Sequence, residues 1–268
     1  MKQLIQVFFI GDIVGAPGRK WVMEALPELR KAAGWDLVIA NAENAAGGAG
    51  LTGAIANDLL AAGVDGITLG DHVWDQRGFD REIDELPRVC RPFNLPEGVP
   101  GQDHLVVETA DGFRLGLGTL LGGQFMKTPA DGNAFRAADR LLDLFGRENP
   151  CDAVLVEFHA ETTSEKIAMG WHLDGRAAII VGTHTHVPTA DTTLLPRGSA
   201  YITDVGMTGP YASILGRSVE PVLLRFLDGL PRRFTVAEEA VRLMGLEVTI
   251  DRKTGFPTRA ELRCFPAP

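Results

Sequence analysis

The segment Val181-Gly-Thr-His-Thr-His-Val187 follows the apolar run 177–181, which predicts a buried strand that ends where the polar residues begin. In open α/β sheets, ligands bind beyond the carboxyl ends of the strands. If the segment is extended, His184 and His186 project from the same side, because side chains alternate along a strand. Two neutral imidazoles held in this way are suitable metal ligands. The alternative, from these residues alone, is a pair of ordinary polar side chains in a surface turn.

The composition restricts the class of protein. Of the 268 residues, 45% are hydrophobic and 23% are charged, as in an ordinary soluble globular protein. Cys90, Cys151 and Cys264 are far apart and odd in number, which argues against a disulfide framework or a thiolate zinc site. The apolar start of the chain is interrupted at Asp12 before any cleavage site, and no apolar stretch approaches the roughly 20 residues that span a bilayer. We therefore expect a cytoplasmic protein without a membrane partner.

The charge of the chain bears on its ligands. A net charge of −9 argues against broad binding of duplex nucleic acid, which needs clustered lysines and arginines. A small anionic ligand stays compatible with this charge, because bound divalent cations would reverse the sign of the local field.

Apolar runs and helical patterns alternate along most of the chain. Strands are predicted at 5–10, 36–40, 65–69, 153–158, 177–181 and 200–203, and helices after a turn at 15–18 to about residue 31, at 52–62 and at 131–147. Hairpins are predicted from the runs 105–107 and 113–117 and from the runs 247–250 and 258–264. The order predicts a layered α/β structure, with one mixed sheet or two sheets packed face to face, in a single domain over residues 1–268.

Polar side chains follow five of the predicted strands. These strand-end residues are Asp12, Glu43, Asn44, Asp71, His159, His184 and His186. One aspartate after a strand is usually a turn former or a helix cap, but five aligned strand ends would converge on one crevice. The set is too large for one tetrahedral zinc ion and suits two metals about 3.5–4 Å apart with a bridging carboxylate. Three carboxylates buried without cations would cost several kcal/mol each or have strongly raised pKa values.

The order of these motifs resembles that of the calcineurin-like metallophosphoesterases and, more closely, of their YmdB-like bacterial branch. The matching segments are Phe9-Ile-Gly-Asp-Ile-Val-Gly15, Asn41-Ala-Glu-Asn-Ala45, Gly70-Asp-His-Val-Trp-Asp75, Phe158-His-Ala-Glu-Thr-Thr-Ser-Glu-Lys166, Val181-Gly-Thr-His-Thr-His186 and Ile202-Thr-Asp-Val-Gly-Met-Thr-Gly-Pro210. They extend over nearly the whole chain. The resemblance implies a layered α/β/β/α metallophosphoesterase-like sandwich with mixed sheets.

The resemblance also implies a ligand set. One metal is assigned to Asp12, Asn44 and His186 and the other to Asp71, His159 and His184, with Glu43 as the bridge. Two positions depart from the superfamily pattern, since Val14 stands where a histidine is usual and Asp71 where an asparagine is usual. The additional carboxylate favours two divalent or mixed-valence ions of Mn or Fe, while Zn and Mg are also compatible.

The activity that the resemblance implies is hydrolysis of phosphodiesters, with 2′,3′-cyclic nucleotides as a candidate substrate class. A hydroxide between the two metals would be the nucleophile, and His72 is the candidate general acid for the leaving alkoxide. The alternative for His72 is a residue that orients a metal ligand. We expect a small phosphodiester or nucleotide as the partner, and a homo-oligomer is left open.

Two other functions compete with this interpretation. A regulatory protein that senses a nucleotide, with weak or vestigial hydrolysis, would keep the same ligands. A metal-dependent amidohydrolase also uses a His-x-His pair, but normally on the first strand of a barrel, whereas here the pair lies two thirds of the way along the chain.

Three further features have open roles. Glu161 and Glu165 could orient ligands or belong to a helix start. The loop 204–210 could border the site or be a plain glycine-rich turn. The segment 122–127 could cover the substrate, with Lys127 as its cation.

Overall fold

The computed structural model describes residues 2–128 and 130–268. The strands are β1 (Leu4–Ile10), β2 (Leu37–Asn41), β3 (Gly66–Thr68), β4 (Val89–Cys90), β5 (Leu105–Glu108), β6 (Arg114–Leu121), β7 (Ala153–His159), β8 (Ile179–Thr183), β9 (Thr193–Leu194), β10 (Ala200–Ile202), β11 (Gly209–Pro210), β12 (Val241–Asp251) and β13 (Phe256–Pro266). The helices are α1 (Gly15–Ala33), α2 (Gly53–Ala61), α3 (Phe79–Glu82), α4 (Ala134–Arg147), α5 (Thr163–Leu173) and α6 (Val219–Asp228), and a short 3₁₀ helix covers Ile83–Glu85.

The strands form two mixed sheets. In the first sheet the order is β4-β3-β2-β1-β12-β11, with β13 also paired to β12. Strands β1 to β4 run parallel, and β12 runs antiparallel to β1. In the second sheet the order is β5-β6-β7-β8-β10-β9, with a parallel centre and antiparallel edges. The predicted mixed sheets are therefore confirmed.

The two sheets pack face to face, and helices cover both outer faces. Phe9 of β1 lies in the core between the sheets, together with Leu117 and Leu155 of the second sheet. Phe8 points the other way and packs under α1 and α2, because successive side chains alternate. Helices α4 and α5 cover the outer face of the second sheet. Burial on both faces explains why β1 is apolar at every position except Gln6, and the layering is α/β/β/α.

The first helix and the last hairpin differ from the sequence-based prediction. The predicted turn at 15–18 lies inside α1, since Pro17 in the first helical turn removes an N–H that has no intrahelical partner there. The last hairpin is longer than predicted, with eleven residues in each strand, because β12 pairs with both β1 and β13. Within the described residues, no helix combines the length and the apolar composition needed to cross a bilayer.

Candidate metal centre

The predicted ligands meet where the two sheets bring the carboxyl ends of their parallel strands together. Residues after β1, β2 and β3 face the last residue of β7 and the loop after β8. The backbone N–H of His184 donates to Asp12 Oδ2 at 3.2 Å, across the two sheets. Glu43 Oε1 lies 3.3 Å from His159 Nε2, also across the sheets. The convergence predicted from the strand ends is therefore observed.

Four of these residues form a compact group of ligand atoms. Glu43, Asp71, His159 and His184 each place one ligand atom within 4.8 Å of the other three. His159 Nε2 lies 3.1 Å from Asp71 Oδ1 and 3.1 Å from His184 Nδ1. Two carboxylates and two imidazoles are a donor set that fits Mn, Fe or Zn. The group coincides with the set predicted for the second metal.

Asp12, Asn44 and His186 lie beside this group. Asn44 Nδ2 is 2.9 Å from Glu43 Oε1 and 3.2 Å from His186 Nε2. His186 donates its Nδ1–H to the carbonyl of Leu215 at 3.1 Å, which leaves Nε2 facing the site. Asp12 Oδ1 is buried and has no hydrogen-bond partner among the described residues. Because an unpartnered buried carboxylate oxygen is costly, its environment fits a bound cation.

Electrostatics within the group show how its charges balance. Burial raises the pKa of Asp12 well above its ordinary value. Burial also acts to raise the pKa of Glu43 and of Asp71, but interactions with His159 outweigh it and both pKa values are lowered. Burial alone would lower the pKa of His159, yet Glu43 and Asp71 raise it well above its ordinary value. The site favours a cation between its carboxylates, and a metal ion fits that requirement.

Glu157 is a supporting residue that the sequence analysis missed. It is fully buried in β7 and accepts hydrogen bonds from Asn41 Nδ2 (2.6 Å), Thr119 Oγ1 (3.0 Å) and Thr183 Oγ1 (2.7 Å). Thr183 Oγ1 lies 2.9 Å from His159 Nδ1. This chain of contacts turns His159 Nε2 toward the carboxylates. The available signal was an acidic residue inside an apolar strand, two positions before a histidine.

The loop that carries His184 and His186 is not extended, contrary to the prediction. Both histidines have positive φ angles, of 97° and 64°. Asp204 Oδ2 fixes the loop by accepting from Thr185 N (3.1 Å) and Oγ1 (2.8 Å), and it forms a 2.7 Å ion pair with Lys166. Asp204 and Lys166 are both buried. The surrounding hydrogen bonds hold the uncommon backbone conformation, and the predicted bordering loop 204–210 contacts the histidine loop through Asp204.

The two glutamates with open roles have different contacts. Glu161 Oε2 lies 3.0 Å from His184 Nε2 and orients that imidazole. Glu165 accepts from Thr162 Oγ1 at 2.9 Å, at the start of α5, and from the backbone N–H of Gly123 at 3.0 Å. The contact of Glu161 therefore agrees with a role in orienting a ligand, and the contacts of Glu165 agree with a role at the start of a helix.

Two contacts place His72 beside the group of predicted ligands. Its backbone N–H donates to Glu43 Oε2 at 3.1 Å, and its Nδ1 lies 2.7 Å from Asp75 Oδ2. Lys127 Nζ contacts both oxygens of Asp75 at 2.6 Å. Lys127, the cation of the segment that could cover the substrate, is therefore paired with a carboxylate of the protein. Asp75 had no assigned role in the sequence analysis, although it belongs to one of the matching motifs.

A cavity of about 300 Å³ opens onto these residues. It is lined by Glu43, Asn44, Gly48, His72, Glu161, His184, Thr185, His186, Leu215 and Arg217. Its size is at the lower end of small-molecule sites. Gly70 lies against Glu43 and His159, and a Cβ at that position would lie 2.5 Å from His159 Nε2.

The chain is similar to known proteins over nearly its whole length. The model of the YmdB-like protein family matches residues 8–262. The chain is 46% identical over 257 residues to the 2′,3′-cyclic-nucleotide 2′-phosphodiesterase of Bacillus subtilis, covering 96% of each chain. It superposes on a hypothetical protein from Thermus thermophilus with a TM-score of 0.90 and 44% identity, covering 98% of this chain and 100% of the other. It also superposes on a novel phosphatase from Mycoplasma pneumoniae with a TM-score of 0.91 and 35% identity, covering 99% and 95%.

Proposed function

The chain belongs to the YmdB-like family, and on this basis we propose that it is a metal-dependent phosphodiesterase with 2′,3′-cyclic nucleotides as its substrate class. The observation that carries the proposal is the cluster of buried carboxylates and imidazoles, with Asp12 Oδ1 left without a hydrogen-bond partner among the described residues. The 46% identity to the B. subtilis phosphodiesterase supports the substrate class.

We assign the ligands to two divalent ions. One set is Asp12, Asn44 and His186, the other is Asp71, His159 and His184, and Glu43 lies between them. For Asn44 to serve as a ligand, its amide must turn so that Oδ1 takes the place of Nδ2, which now contacts Glu43 and His186. When bound, such ions supply Lewis-acid stabilisation of phosphoryl charge and activation of water at neutral pH. Mn or Fe suits the donor set, with Zn and Mg as alternatives.

His72 supplies the proton for the leaving alkoxide in this proposal. Its Nδ1 faces Asp75 at 2.7 Å, so the proton to be transferred is held on Nε2. Asp75 orients the ring through this contact, and Lys127 holds Asp75 in place. For a 2′,3′-cyclic nucleotide, a water oxygen would form a bond to phosphorus as the P–O2′ bond breaks, O2′ would take the proton from His72, and the product would be the 3′-phosphate.

Hydrolysis of 2′,3′-cyclic AMP and of bis-p-nitrophenyl phosphate by Mn-loaded protein tests the proposal. We expect turnover that disappears in metal-free protein and returns when Mn²⁺ is added. Absence of turnover above the metal-free protein would favour the nucleotide-sensing alternative instead.

The remaining expectations stay predictions. They are a single domain over residues 1–268, a cytoplasmic location, and no duplex nucleic acid or membrane as partner. Size-exclusion chromatography with light scattering tests the homo-oligomer that the sequence left open.

A further inference from the structure

Arg217 differs in charge from the rest of the cavity lining. Within the described part of the chain, it is the one arginine or lysine that lines the cavity over the metal cluster. Its side chain is partly buried, and this burial lowers the pKa of the guanidinium. No carboxylate among the described residues raises this pKa or pairs with Arg217, so a positive charge without an acidic partner faces the site.

Backbone carbonyls hold the guanidinium in place. Nη1 donates to Gly47 O at 3.3 Å, and Nη2 donates to Gly48 O. The backbone N–H and C=O of Arg217 both pair with Ile214 at 2.9 Å, so the base of the side chain is also fixed. Only two of the five guanidinium N–H groups are used in these contacts, and the carbonyls carry no net charge. The other donors and the positive charge remain available to an anion.

Gly48 leaves the space that the guanidinium occupies. A Cβ at Gly48 would lie 2.7 Å from Cζ of Arg217 and 2.8 Å from Nη2, so a side chain there would displace the guanidinium. Gly47 also has a positive φ, of 65° against 89° for Gly48, but a Cβ at Gly47 would meet open space. The two glycines therefore provide a matched pair for a test, because only a side chain at Gly48 would collide with the guanidinium.

The same turn places Arg217 relative to the metal centre. The carbonyl of Leu215 accepts the Nδ1–H of His186 at 3.1 Å, two residues before Arg217. Gly48 follows closely after Glu43 and Asn44 in the loop beyond β2. Arg217 is thus fixed both to the turn that orients one predicted metal ligand and to the loop that carries two others.

We propose that Arg217 selects an anionic phosphodiester by donating hydrogen bonds to a non-reacting phosphoryl oxygen, while the metal centre holds the reacting atoms. The proposal rests on the phosphodiesterase function above and specifies its substrate class, which is an ester that keeps a negatively charged oxygen. A neutral phosphotriester lacks the charge that Arg217 recognises.

The test uses Mn-loaded wild-type protein and the variants Arg217→Gln, Arg217→Lys, Gly48→Ala and Gly47→Ala. We measure kcat and KM with 2′,3′-cyclic AMP, the Kd of inorganic phosphate by calorimetry, and the bound Mn. Loss of a charge-assisted hydrogen bond predicts that Arg217→Gln raises KM and the phosphate Kd about 10- to 100-fold, with Mn content unchanged. Gly48→Ala should do the same, Arg217→Lys should be intermediate, and Gly47→Ala, which keeps the carbonyl that Nη1 contacts, should have a clearly smaller effect than Gly48→Ala.

Two results would overturn the proposal: an unchanged KM and phosphate Kd in Arg217→Gln, or equal effects of Gly47→Ala and Gly48→Ala. If wild-type protein hydrolyses no diester but binds phosphate in an Arg217-dependent way, the phosphodiesterase function fails while the anion site stands. Wild-type protein that neither binds phosphate nor hydrolyses a diester contradicts both.

Discussion

His159 donates its Nδ1–H to the hydroxyl of Thr183. The hydroxyl can only accept in this contact, because it donates its single proton to Glu157. The two contacts are 2.9 Å and 2.7 Å long. This arrangement fixes the Nδ1 proton of the ring and directs Nε2 to Asp71 and Glu43.

Thr183→Val should therefore weaken metal binding. The isosteric change removes the acceptor for His159 Nδ1–H, and loss of such a partner typically costs 10- to 100-fold in metal affinity. Thr119→Val is the control, since Thr119 also donates to Glu157, at 3.0 Å, but the hydroxyl contact to His159 belongs to Thr183. Titration of metal-free protein with Mn²⁺ measures both affinities, and equal losses in the two variants would contradict this explanation.

His72→Ala should keep both metals and lose turnover, by about 10²- to 10⁴-fold in kcat for 2′,3′-cyclic AMP. The loss should be much smaller for bis-p-nitrophenyl phosphate, because p-nitrophenolate leaves without being protonated. Steady-state kinetics with both substrates, together with metal analysis, decide the role. If both substrates lose activity equally, or if the metals are lost, His72 is structural.

Gly70→Ala should abolish metal binding by the predicted ligands. A Cβ would lie 2.5 Å from His159 Nε2, and His159 is completely buried and cannot move aside. Gly146→Ala is the matched control, since its Cβ meets open space and its φ is not positive. Metal content after purification is the measurement, and a fully loaded Gly70→Ala protein would refute the close packing.

Metal-free protein should lose stability as the pH rises above about 7. The raised pKa of His159 means that its proton stabilises the fold below its ordinary pKa of about 6.5, and this contribution is lost as the pH passes through the folded-state pKa. The raised pKa of Asp12 acts in the same direction, because burial disfavours its ionised form. The lowered pKa values of Glu43 and Asp71 give contributions that are lost on acidification instead.

Thermal unfolding at several pH values, with and without Mn²⁺, tests this expectation. The Tm of metal-free protein should fall toward alkaline pH, while the metal-loaded protein should change much less, since the cations replace the lost proton. A metal-free Tm that is constant or rises over this range would contradict the assigned charge balance.

The sequence predicted the layers and the strand ends because both are local signals. Apolar runs followed by Asp12, Glu43 or Asp71 predict where a strand ends and where its polar residues point. The conformation of the histidine loop could not be predicted, since Asp204 fixes it through contacts made only in the folded chain.

Contacts between residues far apart in the chain could not be predicted from local sequence patterns, for the same reason. Arg217 reaches Gly48 across 169 positions, and neither residue belongs to a periodic pattern. Glu157 was recognisable in principle, because an acid within a buried strand needs partners. Its role depends on Thr183 of the neighbouring strand, which only the sheet register reveals.

The pairing of β12 with β1 has a consequence for synthesis on the ribosome. Leu4 pairs with Asp251 and Ile10 pairs with Gly245, so the strand that leads to Asp12 has an open edge until residues 241–251 have left the exit tunnel. Such non-local pairing slows folding and leaves the nascent chain exposed to wrong partners. We expect Asp12 to reach its final position among the predicted ligands only after translation has passed β12.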